Sequence, residues 1–111
     1  MEINLKTVEQ ITVVEIIGDI DGKTAPLVQE QISPLIQAGC KIVLDMTQVD
    51  YMSSAGLRLM LTIHRQVSGS KGQVILTGIS EEIQENMSAT GFLDFFTIQD
   101  TVNAAVAVLK E

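Results

Sequence analysis

The chain is organised around the stretch Val49-Asp50-Tyr51-Met52-Ser53-Ser54-Ala55-Gly56-Leu57-Arg58-Leu59-Met60-Leu61. Its two serines stand directly before a strongly apolar segment of helical period. Serine is favoured at a helix start, where its oxygen accepts a hydrogen bond from an unpaired backbone N–H group. The same N–H groups and the helix dipole also favour a phosphate. Ser53 and Ser54 are therefore either two capping residues or the acceptors of a phosphorylation switch.

The composition predicts one soluble, globular domain over residues 1–111. Hydrophobic residues make up 46% of the chain and charged residues 19%, a balance that excludes a disordered protein. The net charge is -7 and the basic residues are scattered, so neither nucleic acid nor an anionic membrane surface is expected as a partner. No apolar run approaches the roughly 18 residues of a membrane span, and we expect a cytoplasmic protein.

The single cysteine and the single histidine predict no redox or metal chemistry. Cys40 cannot form an internal disulfide and is interpreted as a small packing residue. His64 cannot build a zinc site of two or more histidines, so we expect a helix histidine whose hydrogen bonds are satisfied. No metal and no cofactor are expected.

Strand and helix patterns alternate along most of the chain. Strands are predicted around residues 3–7, 11–17, 41–45, 73–77 and 95–98. Thr24 is predicted to cap the first helix, which Pro34 should kink or end early and Gly39 should end. The second helix follows the two serines, and its buried side is predicted to carry Leu57, Met60, Leu61, His64 and Val67, with Leu59 and Ile63 widening the apolar arc. The third opens near Ser80 with Glu81 and Glu82, and Asp100 or Thr101 should cap the fourth.

This order predicts an α/β fold with a small, mixed and mostly parallel sheet of four to five strands. The first two strands should pair as an antiparallel hairpin, and about four helices should pack on the sheet. Loops after the carboxyl ends of parallel strands gather at one edge, where ligands usually bind. That edge is expected to carry Asp19, Asp21, residues 50–54, Gly78 and Ser80.

A catalytic site at this edge is disfavoured. A serine nucleophile needs a base within hydrogen-bond reach, and His64 lies nearly three helical turns beyond Ser54. Met52 stands where a nucleophile elbow requires glycine. The loop acids Asp19, Asp21 and Asp50 have the oxygens to hold Mg²⁺, but solvated turn residues are the better interpretation. The sequence therefore predicts a protein that is not an enzyme.

Several of these features together resemble the STAS domain of bacterial anti-sigma factor antagonists. The resemblance rests on the strand-strand-helix order, the Gly18-Asp19-Ile20-Asp21 turn, the Val43-Leu44-Asp45 strand and above all Tyr51-Met52-Ser53-Ser54-Ala55-Gly56-Leu57. It covers essentially the whole chain. It implies a non-enzymatic domain that binds an anti-sigma factor, itself a serine kinase, and so releases a sigma factor. In that family the kinase phosphorylates one serine, which blocks binding, and a PP2C-type phosphatase reverses the modification.

The resemblance also implies roles for individual residues. The phosphorylated serine falls on Ser54, with Ser53 as a second candidate because it occupies the family's usual aspartate position. Ala55 stands where the family has a second hydroxyl, whereas Gly56 and Leu57 match the motif. The expected partner surface comprises Asp19, Asp21, Ser53, Ser54, Ala55, Gly56 and Arg58. The alternative is a STAS domain that serves as a scaffold or regulatory subunit of another signalling or transport complex.

Overall fold

The computed structural model, which describes residues 1–110, contains one five-stranded sheet in the order β1-β2-β3-β4-β5. The strands are β1 (Glu2–Val8), β2 (Ile11–Ile17), β3 (Lys41–Gln48), β4 (Gln73–Thr77) and β5 (Thr97–Gln99). β1 and β2 pair antiparallel, and the remaining neighbours pair in parallel. The predicted mixed sheet with an N-terminal hairpin is confirmed.

Four α-helices cover the sheet, as the sequence predicts. They are α1 (Ala25–Ile32), α2 (Ser54–Gly69), α3 (Glu81–Ala89) and α4 (Val102–Leu109). Helices α1, α2 and α3 pack on one face, where their buried residues join Val14, Ile16 and Leu44 of the sheet. Helix α4 packs on the other face against Val13, Val43 and Ile75. Strands β3 and β4 are buried on both faces, which explains their continuous apolar sequences.

Several predicted boundaries hold. Helix α1 ends at Ile32 and continues as a 3-10 turn, Ser33–Leu35, because Pro34 cannot extend an α-helix. Ser80 and Thr101 cap α3 and α4 by accepting hydrogen bonds from the backbone N–H groups of Ile83 and Ala104. Gly91 lies past the end of α3 in the left-handed conformation, with φ 79°.

Other boundaries differ from the prediction. Strand β3 runs three residues beyond Asp45, because its pairing with β2 resumes between Ile17 and Gln48 after a β-bulge. The predicted strand at residues 95–98 begins only at Thr97, and Phe92–Phe95 forms a 3-10 turn. The buried face of α2 includes Leu59 and Ile63 as predicted, whereas Leu61 and His64 stay partly exposed.

Candidate functional site

The two loops expected to share an edge are joined by backbone hydrogen bonds. Ile20 N–H donates to the Tyr51 carbonyl at 3.0 Å, and Ser53 N–H donates to the Ile20 carbonyl at 2.9 Å. Ile20 and Met52 thereby form a parallel bridge that extends the sheet beyond β2 and β3. We call the loops at residues 18–24 and 49–53, with the first turn of α2, the carboxyl edge. The bridge places the Asp19 and Asp21 loop beside the two serines.

The two serines have different environments. Ser53 is the N-cap of α2, and its hydroxyl oxygen accepts a hydrogen bond from Gly56 N–H at 3.3 Å. This contact identifies Ser53 as the capping residue, one of the two roles that the sequence left open. Ser54 is the first residue of the helix and is exposed. Because Ser53 supplies the cap, the Ser54 hydroxyl is free for another task.

Gly56 lets helix α2 approach the neighbouring loop. A Cβ atom at this position would lie 2.7 Å from the Ile20 carbonyl oxygen and 2.6 Å from Cγ of Met52. Both distances are far inside van der Waals contact, so a side chain cannot fit without movement of the loop. Gly56 is itself buried, and its contribution to the site is therefore the close packing of the two loops.

Asp21 organises the acidic loop. Its carboxylate accepts hydrogen bonds from the N–H groups of Thr24 and Lys23, at 3.1 and 2.9 Å, and these bonds hold the pKa of the carboxyl below its usual value. In return, Asp21 N–H donates to the Thr24 hydroxyl oxygen at 2.9 Å. This reciprocal pair has the form of a capping box in the turn before α1.

The predicted cap of helix α1 is therefore corrected. Thr24 occupies the N-cap position, but its side chain accepts no cap hydrogen bond from the helix. Its hydroxyl instead donates to the Asp19 carbonyl at 2.8 Å. The interpretation of Asp21 as a turn residue is confirmed, and the carboxylate is occupied by the turn itself. Among the described residues, no group of three or more His, Cys, Asp or Glu side chains could hold a metal ion.

The remaining predicted residues occupy varied positions. Asp19, Asp50 and Arg58 are exposed, and Ala55 is partly buried. Gly78 packs against Thr47, and Ser80 is engaged as the cap of α3. Of the predicted edge residues, the bridge thus joins only the segments around Ile20 and Met52.

His64 is not the satisfied histidine that the sequence predicts. Its ring meets Phe96 and Phe95 edge-on, with centroid distances of 5.4 and 6.3 Å. Its Nδ1 atom is buried and has no hydrogen-bond partner within residues 1–110. Cys40, by contrast, is partly buried and lies against Gly72, in agreement with the packing role expected for it.

Two residues of the carboxyl edge were given no role by the sequence. Ile20 is fully buried and supplies both backbone bonds of the bridge. The only sequence signal was an isolated apolar residue within a polar loop. Tyr51 leaves 50% of its surface exposed beside these bonds. An aromatic side chain exposed to this extent next to Ser53 is well placed to contact another protein.

Comparison with known proteins identifies the family. The family model for the STAS domain matches residues 2–105. The anti-sigma-B factor antagonist of Bacillus subtilis is 29% identical over 98 residues, which cover 88% of this chain and 90% of the relative. Within residues 1–110, no helix has the length and apolar content needed to cross a membrane.

Solved structures agree on the fold. An anti-sigma factor antagonist from Mycobacterium paratuberculosis superposes with a TM-score of 0.85 at 19% identity, covering 99% of this chain and 94% of that one. The unphosphorylated form of the antagonist SpoIIAA gives a TM-score of 0.74 at 19% identity, covering 98% of each chain. The recognition made from the sequence is thus confirmed, and the chain belongs to the STAS domain family, as a regulatory domain rather than an enzyme.

Proposed function

We propose that this STAS domain is an anti-sigma factor antagonist whose carboxyl edge binds an anti-sigma factor with serine kinase activity. Binding releases a sigma factor, and phosphorylation of Ser54 ends the binding. A PP2C-type phosphatase restores the unmodified form. The protein acts in the cytoplasm, where ATP is available to the kinase. The names of the curated relatives support the general function, and the arrangement of the two serines supports the switch.

This proposal rests on the different roles of the two serines: Ser53 caps α2, and Ser54 is exposed. A phosphoacceptor hydroxyl has to enter the active site of a kinase, so it must be accessible and must not hold the local fold together. Ser54 is exposed at the first position of α2, whereas the Ser53 hydroxyl is engaged with Gly56 N–H. A kinase would have to break the hydrogen bond between the Ser53 oxygen and Gly56 N–H before it could modify Ser53, whereas Ser54 does not hold this cap.

The consequence of phosphorylation follows from charge. A phosphate adds about -1.5 to -2 charges at pH 7. Ser54 lies at the positive end of a 16-residue helix, which favours this charge and leaves the fold of the domain intact. The loss of binding then arises at the interface, where the phosphate has to be desolvated and accommodated. Each 1.4 kcal/mol of lost interaction weakens binding about tenfold.

The proposed contact surface comprises Asp19, Asp21, Ala55 and Arg58 around Ser54, with Tyr51 as an apolar contact. Ser53 and Gly56 belong to this surface as the residues that fix its shape. For comparison, SpoIIAA has been solved in a phosphorylated form as well, with a TM-score of 0.72 and 18% identity to this chain. That relative is therefore known in both states that the proposal requires.

The first test is phosphorylation by a purified anti-sigma factor kinase from the same organism, followed by peptide mass spectrometry. We expect one phosphate on Ser54 in the unmodified chain and in the Ser53→Ala variant. The Ser54→Ala variant should accept none. Modification of Ser53 alone, or of a residue outside this pair, would refute the assignment.

The second test measures binding to the same kinase by isothermal titration calorimetry. The Ser54→Asp variant should bind at least about tenfold more weakly than the Ser54→Asn variant, which has the same size without the charge. The Ser54→Asn variant should stay close to the unmodified chain. Equal affinities of the two variants would contradict a switch based on charge.

A further inference from the structure

Strand β1 offers a long, unpaired edge at one end of the sheet. It pairs only with β2 among the described residues, and all seven of its residues take part in that pairing. The opposite edge strand, β5, has three residues. A long edge with free backbone N–H and C=O groups is a template for pairing with another strand.

The turn of the hairpin fixes which backbone groups are free. Glu9 and Gln10 form a two-residue turn with φ of 51° and 72°, the conformation of a type I′ hairpin. The flanking pair Val8 and Ile11 exchanges both hydrogen bonds in such a turn, and hydrogen-bonded pairs alternate from there. The backbone groups of Ile3, Leu5 and Thr7 therefore point away from β2.

The sequence of β1 is complementary to itself in the antiparallel direction. A two-fold axis at Asn4 would pair Ile3 with Leu5 of the second copy, and both residues have outward-pointing backbone groups. The same axis sets Glu2 opposite Lys6 of the second copy, on the face of the strand that carries Asn4. The opposite-charge pair and the apolar pair then each form twice, by symmetry.

We propose that β1 pairs with β1 of a second copy of this chain to form a continuous ten-stranded sheet. The charged residues of β1 determine which strand can pair with its free edge. Lys6 discourages pairing with an arbitrary strand, since exposed lysine protects sheet edges. The strand of a second copy is an exception, because it presents Glu2 at the matching position.

Exposed apolar side chains near this edge support the pairing. Ile3 and Leu5 point to the helix-bearing face, because they lie opposite Ile16 and Val14, which are buried there. Leu5 leaves 46% of its surface exposed, and Leu27 of α1 leaves 49% exposed. A second strand would bring Ile3 of the second copy against Leu5 and partly cover it. The dimer thus removes apolar surface from water in addition to joining backbones.

The test is sedimentation equilibrium over a range of protein concentrations, with charge reversal. Lys6→Glu and Glu2→Lys should each weaken the dimer about tenfold or more, because each sets like charges opposite one another twice per dimer. The double variant should regain the dimer. Lys71→Glu is the control, because it makes the same charge change at an exposed position outside β1. A chain that is monomeric at every concentration, or a double variant that stays as weak as the single ones, would overturn the proposal.

The register has its own test, in a Cys40→Ala background. Two-fold symmetry at Asn4 predicts that the Asn4→Cys variant forms a disulfide-linked dimer on mild oxidation, since Cα atoms of such a non-hydrogen-bonded pair lie about 4.5 Å apart. The Leu5→Cys variant should remain unlinked, because its two sulfur-bearing residues would lie diagonally across the strands. Linking of Leu5→Cys, or of neither variant, would refute the Asn4-centred pairing.

Discussion

Replacement of Gly56 by alanine tests whether close packing of helix α2 on the Ile20 loop builds the carboxyl edge. The new Cβ atom would start 2.7 Å from the Ile20 carbonyl oxygen. To reach ordinary contact, the oxygen has to retreat by about 0.7 Å. The same oxygen accepts the hydrogen bond from Ser53 N–H. The substitution therefore strains the packing and weakens one of the two bonds of the bridge.

The expected loss of stability follows from three contributions. Overpacking of this size costs about 2 kcal/mol. The weakened Ser53 to Ile20 hydrogen bond costs up to about 1 kcal/mol. Alanine in place of glycine within a helix returns about 1 kcal/mol. The free energy of unfolding should therefore fall by about 2 kcal/mol, which corresponds to a decrease in Tm of about 10 °C for a domain of this size.

The same helix provides a matched control. Gly69 is the last residue of α2, and a Cβ atom there would meet nothing within 4 Å. Gly69→Ala should leave the stability unchanged or raise it by about 0.5 kcal/mol. Urea denaturation of both variants measures the difference. If Gly56→Ala is as stable as Gly69→Ala, close approach to Ile20 is not the reason for glycine at this position.

Three further predictions concern single side chains. Ser53→Ala should lower the free energy of unfolding by about 1 kcal/mol through loss of the α2 cap, whereas Ser54→Ala should be nearly neutral in thermal denaturation; equal effects would contradict the assignment of the cap. The pKa of Asp21 is lowered in the folded state, so its stabilising contribution is present above the unfolded pKa of about 3.9 and is lost as the pH falls through the folded value. Asp21→Asn should therefore be less stable than the unmodified chain at neutral pH, and it should lose less stability on acidification below about pH 4. Acid titrations followed by circular dichroism measure this, with Asp19→Asn as the control. If the stability of Asp21→Asn and of the unmodified chain falls by the same amount over this pH range, the prediction is refuted. His64→Leu should raise the free energy of unfolding by about 1 kcal/mol, because it removes a buried nitrogen without a partner; a loss of stability would show that the nitrogen is paired in solution.

Local sequence patterns predicted the elements of the fold well, because the signals for these elements are local. The caps at Ser80 and Thr101 and the break at Pro34 depend on residues within one turn of each site. Element boundaries were less predictable where distant contacts decide them. The apolar pair Phe95 and Phe96 has the composition of a strand, yet both rings pack against His64 of α2. Tertiary packing, and not the local sequence, therefore determines the conformation of this segment.

The sequence predicted which residues carry the chemistry of the candidate site, but not the contacts that hold its loops together. The helix start with two serines is visible in the sequence, as is the family motif that singles out Ser54. The Ile20 bridge is not visible, because it joins two loops about thirty residues apart that carry no strand pattern. The capping role of Asp21 was missed for a related reason. Thr24 and Asp21 are both good capping residues, and only the hydrogen bonds show which one serves the turn.

The strand order β1-β2-β3-β4-β5 has a consequence for how the chain folds during synthesis. Each strand pairs with its predecessor in the sequence, so the sheet can grow in the order in which the ribosome delivers it. One face is covered along the way by α1, α2 and α3. The other face receives its cover, α4, only after all five strands have been made, and Lys41 Nζ then donates to the Leu109 carbonyl. Until that moment the nascent chain presents a bare strip of Val13, Val43 and Ile75, whose apolar side chains stay in contact with water.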